Sequence, residues 1–376
     1  MSNTLTTLAP TLFSAAKKVA AEPFGVVGAI NTSFDDKGVA KGDNVSVDVA
    51  PTRAAADFTP GATTSTGDDS TGAKIDVTIT KSRKVSWHLT GEQQRSLANA
   101  TIDQDWVSQL VQQGMRTLRN ECEVDAAVAV KVGASRAYGI AGTAPFATDL
   151  TALTNARKIL VDNGAPKADL QMVFDTTAGL NLRNLGVLQN AYQAGGDAER
   201  RSGEFLPQMG FRLSESAGIG LHTPGTGAGH LINNGAGYSI GSTALTVDTG
   251  TGTILPGDVI TIAGDANKYV VVSALAANVV TIGAPGLRKA AADNAAFSYT
   301  TAYTANLAFE RNAVVGVLRP PIMPPNPTID QMLVSDDKGM TYLMLQIAQY
   351  GQLSWELHLA WGFKTINGEF SAIVLG

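Results

Sequence analysis

Apolar and polar positions alternate most clearly between Ser242 and Gly283. Leu245/Val247, Ile260/Ile262, Val270/Val272 and Val280/Ile282 sit at period two, with Thr246, Thr261 and Thr281 on the opposite faces. Gly, Pro, Asp or Asn punctuates each gap, so the stretch predicts a compact β unit, a sandwich or barrel. The sequence on either side reads as parts of one body, which makes this unit an insertion, bounded near residues 222 and 300. The same period occurs earlier in Val45, Val47 and Val49, and again in Ile75, Val77 and Ile79, two strands that fit a long hairpin. Their connection, Pro51 to Gly72, is rich in Ala, Thr, Ser, Gly and Asp and is too long for a tight turn. Val85, Trp87 and Leu89 carry the alternation on towards the body.

Helical spacing takes over next. Thr90 with Gln93, and Thr101 with Gln104, each have the form of a capping box. From Thr101 the positions Ile102, Trp106, Leu110, Leu118 and Cys122 keep one face apolar until Gly133, which predicts a helix of about 45 Å. Thr148 to Asn163 predicts another helix, closed by Gly164 and Pro166. Leu170 to Phe174 reads as a strand, Asp175 as an N-cap, and Thr176 to about Gln189 as a helix. The segment Gly218 to Gly241 carries eight glycines and reads as a linker into the β unit. Beyond it come Leu307 to Leu318, a proline-rich bend, and strands at Tyr342 to Ile347 and Trp355 to Trp361, with Trp355, Leu357, Leu359 and Trp361 on one face. Phe370, Ala372 and Val374 end the chain in a sheet. The fold class is α+β. Its parts are an arm over 1–30 with a short amphipathic helix, an extended loop with flanking strands over 31–90, a helix-and-sheet body over 91–221, the β unit over 222–300, and C-terminal strands over 301–376.

The chain has 376 residues, enough for two or three domains, with 44% hydrophobic and 16% charged residues. A surface poor in charge suits coverage by partners. The net charge of −5 argues against a general nucleic-acid binder, which needs a field of Lys and Arg to displace counterions from phosphates. The sole cysteine, Cys122, excludes a disulfide within the chain and fits an intracellular origin. The N-terminal pattern is broken by Lys17 and Lys18 and lacks the form of a signal peptide, and no apolar run reaches the roughly 20 residues that span a bilayer.

Candidate chemistry is sparse. Gly237-Tyr238-Ser239-Ile240-Gly241 matches the G-x-S-x-G nucleophile elbow, but a glycine-rich linker precedes it and a strand follows, and the only downstream histidine, His358, lies in an alternating strand. An esterase would rest on Ser239 alone. His88, His222, His230 and His358 are scattered, so no metal site is expected; His88 and His358 read as strand residues satisfied by neighbours. Gly225, Gly227 and Gly229 lack the strand, helix and Lys-Ser/Thr of a phosphate loop and read as flexible linker. Asp68 with Asp69, and Asp336 with Asp337, read as solvated loop carboxylates. No catalytic residue and no cofactor is expected, and the β unit has no basic groove for nucleic acid.

The order of these parts resembles that of the major capsid proteins of tailed bacteriophages. Two stretches are similar to the coat-protein family of short-tailed Salmonella phages, which carries an inserted β-barrel: Leu255-Pro256-Gly257-Asp258-Val259-Ile260-Thr261-Ile262-Ala263-Gly264, and Asn306-Leu307-Ala308-Phe309-Glu310-Arg311-Asn312-Ala313-Val314. The resemblance implies the tailed-phage capsid fold, shared with encapsulins and the herpesvirus capsid floor: N-terminal arm, extended β-hairpin loop, long spine helix, peripheral and axial domains, and an inserted β-barrel. It implies self-assembly into hexamers and pentamers of an icosahedral shell that encloses double-stranded DNA without sequence-specific binding, formed in the host bacterial cytoplasm and ending in the virion. A scaffolding protein is an implied partner because no long charged helical prefix opens the chain; a portal protein and a decoration protein are others, and a membrane is not. The arm and loop would reach neighbouring subunits, with Leu12, Phe13, Arg53, Phe58, Asp68 and Asp69 as candidate assembly contacts. An encapsulin-type compartment is the alternative within the same fold.

Overall fold

The computed structural model describes residues 25–32, 42, 44–49, 73–99, 103–189, 205–324, 326, 329–335 and 340–376. A short helix α1 (Val26–Ala29) leads to a hairpin of β1 (Asn44–Val49) and β2 (Ala73–Thr78), then to β3 (Lys81–Thr90). The hairpin is antiparallel with Asn44 opposite Thr78 and Val49 opposite Ala73, as the alternation predicts. The first capping box also forms: Thr90 N donates to Gln93 Oε1 at 3.0 Å and Gln93 N to Thr90 Oγ1 at 3.4 Å, opening α2 (Gly91–Asn99).

The long helix is α3, Asp103–Gly133, with 31 residues. Thr101, Ile102 and the side chain of Trp106 lie outside the described residues. Its buried stripe is Val111, Met115, Leu118, Cys122, Ala126 and Val130, at steps of three and four. Leu110 is only half-buried, one residue off that stripe. The difference arises because β-sheets pack on two sides of α3 and select the row running through Val111.

On one side lies a five-stranded antiparallel sheet. β15 (Val314–Arg319) and β17 (Thr341–Gln349) both pair with the 14-residue β18 (Gln352–Thr365), β16 (Ile329–Ser335) pairs with β17, and β3 covers the other edge of β18. Trp355, Leu357, Leu359 and Trp361 share the face packed on α3, as their spacing predicts. Two ion pairs hold the same face: Lys81 Nζ to Asp125 Oδ1 at 2.8 Å and Arg83 Nε to Glu121 Oε2 at 3.4 Å.

On the other side runs a larger mixed sheet. β4 (Arg136–Tyr138) follows α3; α4 (Thr151–Asp162), β5 (Leu170–Phe174), α5 (Thr176–Asn184), α6 (Gly186–Gln189) and β6 (Phe211–Glu215) come next. The expected start of α4 at Thr148 moves to Thr151 because the Asp149 carboxylate accepts from Thr151 N at 2.8 Å. Asp175 caps α5 as expected, accepting from Thr177 N and Ala178 N. β6, β5, β14 (Tyr303–Glu310), β19 (Ser371–Leu375) and β4 form consecutive neighbours, with Met172, Phe174, Leu182 and Phe211 in a second core beneath them.

β7 (Leu221–His222) pairs with β14, and the β unit comprises β8 (Leu231–Ile232), β9 (Ala244–Asp248), β10 (Val259–Ile262), β11 (Lys268–Ala276), β12 (Val279–Ile282) and β13 (Phe297–Tyr299). Leu245, Val247, Ile260, Ile262, Val280 and Ile282 form its core as predicted, joined by Phe297. Three expectations change. First, in β11 the inward residues are Tyr269 and Val271, whereas Val270 joins the main core beside α3. A strand between two cores has no free face, so alternation cannot reveal its phase. Second, the ladders do not close a regular barrel; β8 and the start of β13 meet through one bridge, Leu231 to Ala296, and β11 pairs with β4 so that the unit continues the larger sheet. Third, two of the three glycines read as linker are closely packed: a Cβ on Gly225 would lie 2.1 Å from the Thr253 carbonyl oxygen and one on Gly227 3.1 Å from Ile254, whereas Gly229 has open space around it.

Leu118→Ala should cost about 2–5 kcal/mol, the usual effect of a cavity in a packed core, whereas Leu110→Ala should cost about 1 kcal/mol. Urea unfolding of the two variants separates them, and equal losses would mean that the stripe runs through Leu110.

Candidate functional site

Three side-chain clusters fix how the peripheral parts join the body. The first sits at the start of the described chain. Glu123, buried on α3, accepts from Val26 N at 2.5 Å, Val27 N at 3.0 Å and Ser216 Oγ at 2.7 Å. One carboxylate thus ties α3, the first turn of α1 and the end of β6 together. Gly25 completes the junction, since a Cβ there would lie 2.4 Å from Ser216 Cβ.

The second cluster roots the hairpin. Val77 and Ile79 pack on Val315, Val317 and Ala360, on the face of the five-stranded sheet turned away from α3. Lys364 Nζ donates to the Asp76 carbonyl at 2.9 Å, and the Asp76 carboxylate accepts from Ser46 Oγ at 2.6 Å and Asn44 Nδ2 at 3.2 Å across the ladder.

The third joins α3 to the β unit. His222 is buried between Lys131, whose Nζ lies 3.2 Å from its Nδ1, and Asp258, whose Oδ1 lies 2.9 Å from its Nε2. Asp258 Oδ2 also accepts from Leu255 N at 2.8 Å and Gly225 N at 3.1 Å, which closes the turn before β10. Burial pushes the Lys131 ammonium down from its ordinary pKa, opposed by the charge of Asp258. The Tyr303 ring lies 5.1 Å from the imidazole, and burial pushes its phenol up. Beside the joint Arg136 Nη1 donates to Asn267 Oδ1 of the β unit at 3.3 Å, and its Nη2 to Asn163 Oδ1 of the body at 2.9 Å.

Ser239 lies in an exposed turn between two loops, without the strand-to-helix elbow, while His222, His230 and His358 bond to Asp258, Tyr299 and Glu356 instead. His88 is exposed on β3. Among the described residues no group of three or more His, Cys, Asp or Glu could hold a metal ion, and no helix is long and apolar enough to cross a membrane. Leu12, Phe13, Arg53, Phe58, Asp68 and Asp69 lie outside the described residues, as do Asp336 and Asp337. Sequence reasoning missed Glu123 and Asp125. Both stand within a turn of Cys122 on a helix read only for its apolar face, and a carboxylate beside an apolar stripe was the available cue.

No family model and no curated protein matches the sequence. Solved structures do. A chain of Mycobacterium phage Che8 matches at TM-score 0.51 and 13% identity, over 94% of this chain and 91% of that one. A chain of the capsid structure of cyanophage P-SCSP1u matches at TM-score 0.52 and 12% identity, over 93% and 88%. The chain has a phage capsid fold. At such identities the fold is what is shared, and nearly the whole chain takes part in it. The three clusters join α1, the hairpin and the β unit to the body.

Glu123→Ala should lower stability by about 3 kcal/mol, because two N–H groups and a hydroxyl lose their acceptor, and Glu123→Gln should cost less. Thermal unfolding with timed proteolysis ahead of Gly25 checks both, and unchanged cleavage would dismiss the anchor. A second outcome concerns pH. Burial alone would raise the Glu356 carboxyl, but hydrogen bonds and charge from Lys84 and His358 outweigh it and hold the pKa below the usual range. Its contribution is therefore present above the unfolded pKa, about 4.3, and is lost as pH falls through the lower folded value. Glu356→Gln should flatten the acid limb of a stability-against-pH curve below about pH 4.3, and an unaltered limb would contradict this assignment.

Proposed function

We propose that the chain is the coat subunit of an icosahedral shell that encloses phage double-stranded DNA. The observation that carries this reading is the match to phage structures, one of them a capsid, over more than nine-tenths of the chain. A long helix serving two sheets, with an arm, a hairpin and a β unit anchored at its flanks, suits a flat subunit whose extensions contact copies of itself in hexamers and pentamers. The net charge of −5 suits a wall that must not grip packaged DNA through dense phosphate contacts. No catalytic step is assigned.

Several finer points belong to the same proposal. Residues 1–30 act as an arm, 31–90 as an extended loop with its strands, 91–221 as spine and body, 222–300 as an inserted module and 301–376 as axial strands. The stretches 255–264 and 306–314 support a relation to the coat proteins of short-tailed Salmonella phages. A scaffolding protein, a portal protein and a decoration protein are the partners such a shell would use, with assembly in the host cytoplasm.

Electron microscopy of the purified protein should show shells or capsomer-like rings. A compact monomer alone in native mass spectrometry, with and without a co-expressed scaffold, would overturn the reading. The loop from Pro51 to Gly72 provides a sharper outcome. Its polar composition offers little apolar surface for its own subunit, so its contact energy should arise on assembly. Replacing Ala54 to Ser70 with a Gly-Ser link should leave subunit melting within about 2 °C of the parent and abolish shells. Lower stability with intact shells would instead make the loop a local flap.

A further inference from the structure

Among the described residues His222 is the one histidine bonded at both ring nitrogens, and its two partners are unlike. Lys131 Nζ, at the end of α3, lies 3.2 Å from Nδ1, and Asp258 Oδ1, in the turn before β10, lies 2.9 Å from Nε2. An ionised carboxylate only accepts, so Nε2 carries a hydrogen. An ammonium only donates, so with Lys131 charged Nδ1 must present a lone pair and the imidazole is neutral. Moving the bridging hydrogen from Nζ to Nδ1 leaves the count the same. The contact holds with one hydrogen between the two nitrogens and has no place for a second.

The other groups around the ring do not relieve that restriction. From β14 the Tyr303 ring stands 5.1 Å away, and from β13 Tyr299 feels the charge of Asp258; burial pushes both phenols up, so both stay neutral as pH falls. The other bonded histidines have more tolerant partners. His230 Nδ1 meets the Tyr299 hydroxyl at 2.6 Å, which can donate or accept, and burial holds His230 below the ordinary imidazole range. His358 faces the Glu356 carboxylate at 2.9 Å, a partner that favours a charged ring. Only His222 meets a cationic donor.

We propose that the Lys131–His222 contact is an acid-sensitive joint, which ties α3 to β7 and the β unit while one hydrogen bridges the two nitrogens and opens when a second proton arrives. Nδ1–H then faces the ammonium, donor against donor and charge against charge, whereas Nε2 keeps Asp258. Lys131 is the group that leaves. It ends a flexible stem, and burial already pushes its ammonium down from the ordinary pKa, so moving out into water relieves it. The turn before β10 stays tied to β7, and Val259 and Val270 stay in the main core beside α3, so the joint loosens without unfolding the β unit. Histidine side chains change charge between about pH 5 and 8, which sets the window: the tie is present at the upper end and lost as pH falls.

The test uses the full chain. Amide hydrogen exchange, corrected for the intrinsic effect of pH, should show residues 129–133 and 220–225 losing protection about tenfold between about pH 8 and pH 5, while β5 keeps its own. Exchange of the ring C2 hydrogen, followed by mass spectrometry, titrates His222 in the same samples, and its midpoint should coincide with that loss. Lys131→Met removes the like charge and should raise the midpoint by about one pH unit. In His222→Gln the amide oxygen can accept from Lys131 and the amide nitrogen donate to Asp258 with no titration, so protection should persist at both pH values. Constant protection in the parent while His222 titrates, a His222 ring that stays neutral to about pH 5, an unmoved midpoint in Lys131→Met, or parent-like loss in His222→Gln would each overturn the joint. The two readouts on the parent decide the matter even where a variant fails to fold. Neither requires shells, so failure of the coat reading would leave this inference standing.

Discussion

Burial of α3 between two sheets is the constraint on which the remainder of the structure depends. Val111, Met115, Leu118, Cys122, Ala126 and Val130 share one core with Trp355, Leu357 and Trp361 of the five-stranded sheet and with Leu307 and Ile373 of the larger one. Apolar contact is non-directional and would tolerate a helix shifted by a turn. Carboxylates remove that freedom. Asp125 accepts from Lys81 Nζ at 2.8 Å and from Trp361 Nε1 at 2.7 Å, so the helix is registered on β3 and β18 together. Half a turn earlier Glu123 fixes α1, and two turns later Lys131 reaches the β unit through His222.

The peripheral parts are joined to this centre by short, polar, geometrically defined contacts as well as by apolar cores. The hairpin has a small core of its own at the sheet, but Lys364 and Asp76 set its position there. The β unit has a core of its own, yet the Arg136–Asn267 bond and the Lys131–His222–Asp258 cluster decide how it meets the body. Elements held by directional contacts keep a defined orientation on the body, which apolar contact alone would not set.

Much of the architecture was legible in the chain because local pattern and tertiary environment agree. Strands with one face in a core and one in polar surroundings show their alternation, as in β1, β2 and β9. The helix caps at Thr90 and Asp175 are equally local, since each side chain bonds backbone within three residues. The family resemblance also came from order and spacing, and the structural matches agree with it at the level of fold.

Other features had no local cue. The phase of β11 was misread because Val270 and Val271 are both buried, one in each of two cores, and a fully buried strand carries no alternation. Gly225 and Gly227 looked like linker because composition cannot distinguish freedom from close approach; only the position of Thr253 does that. The joints at Glu123, Asp125 and Asp258 link residues far apart in sequence, such as Asp125 with Trp361. The sequence by itself determined which segments are helix or strand and where apolar surface must be covered, because those follow from short-range periodicity. Tertiary structure alone decided which carboxylates become anchors and which way β11 faces, because each depends on what the fold brings within about 3–4 Å, the reach of a hydrogen bond or a packing contact.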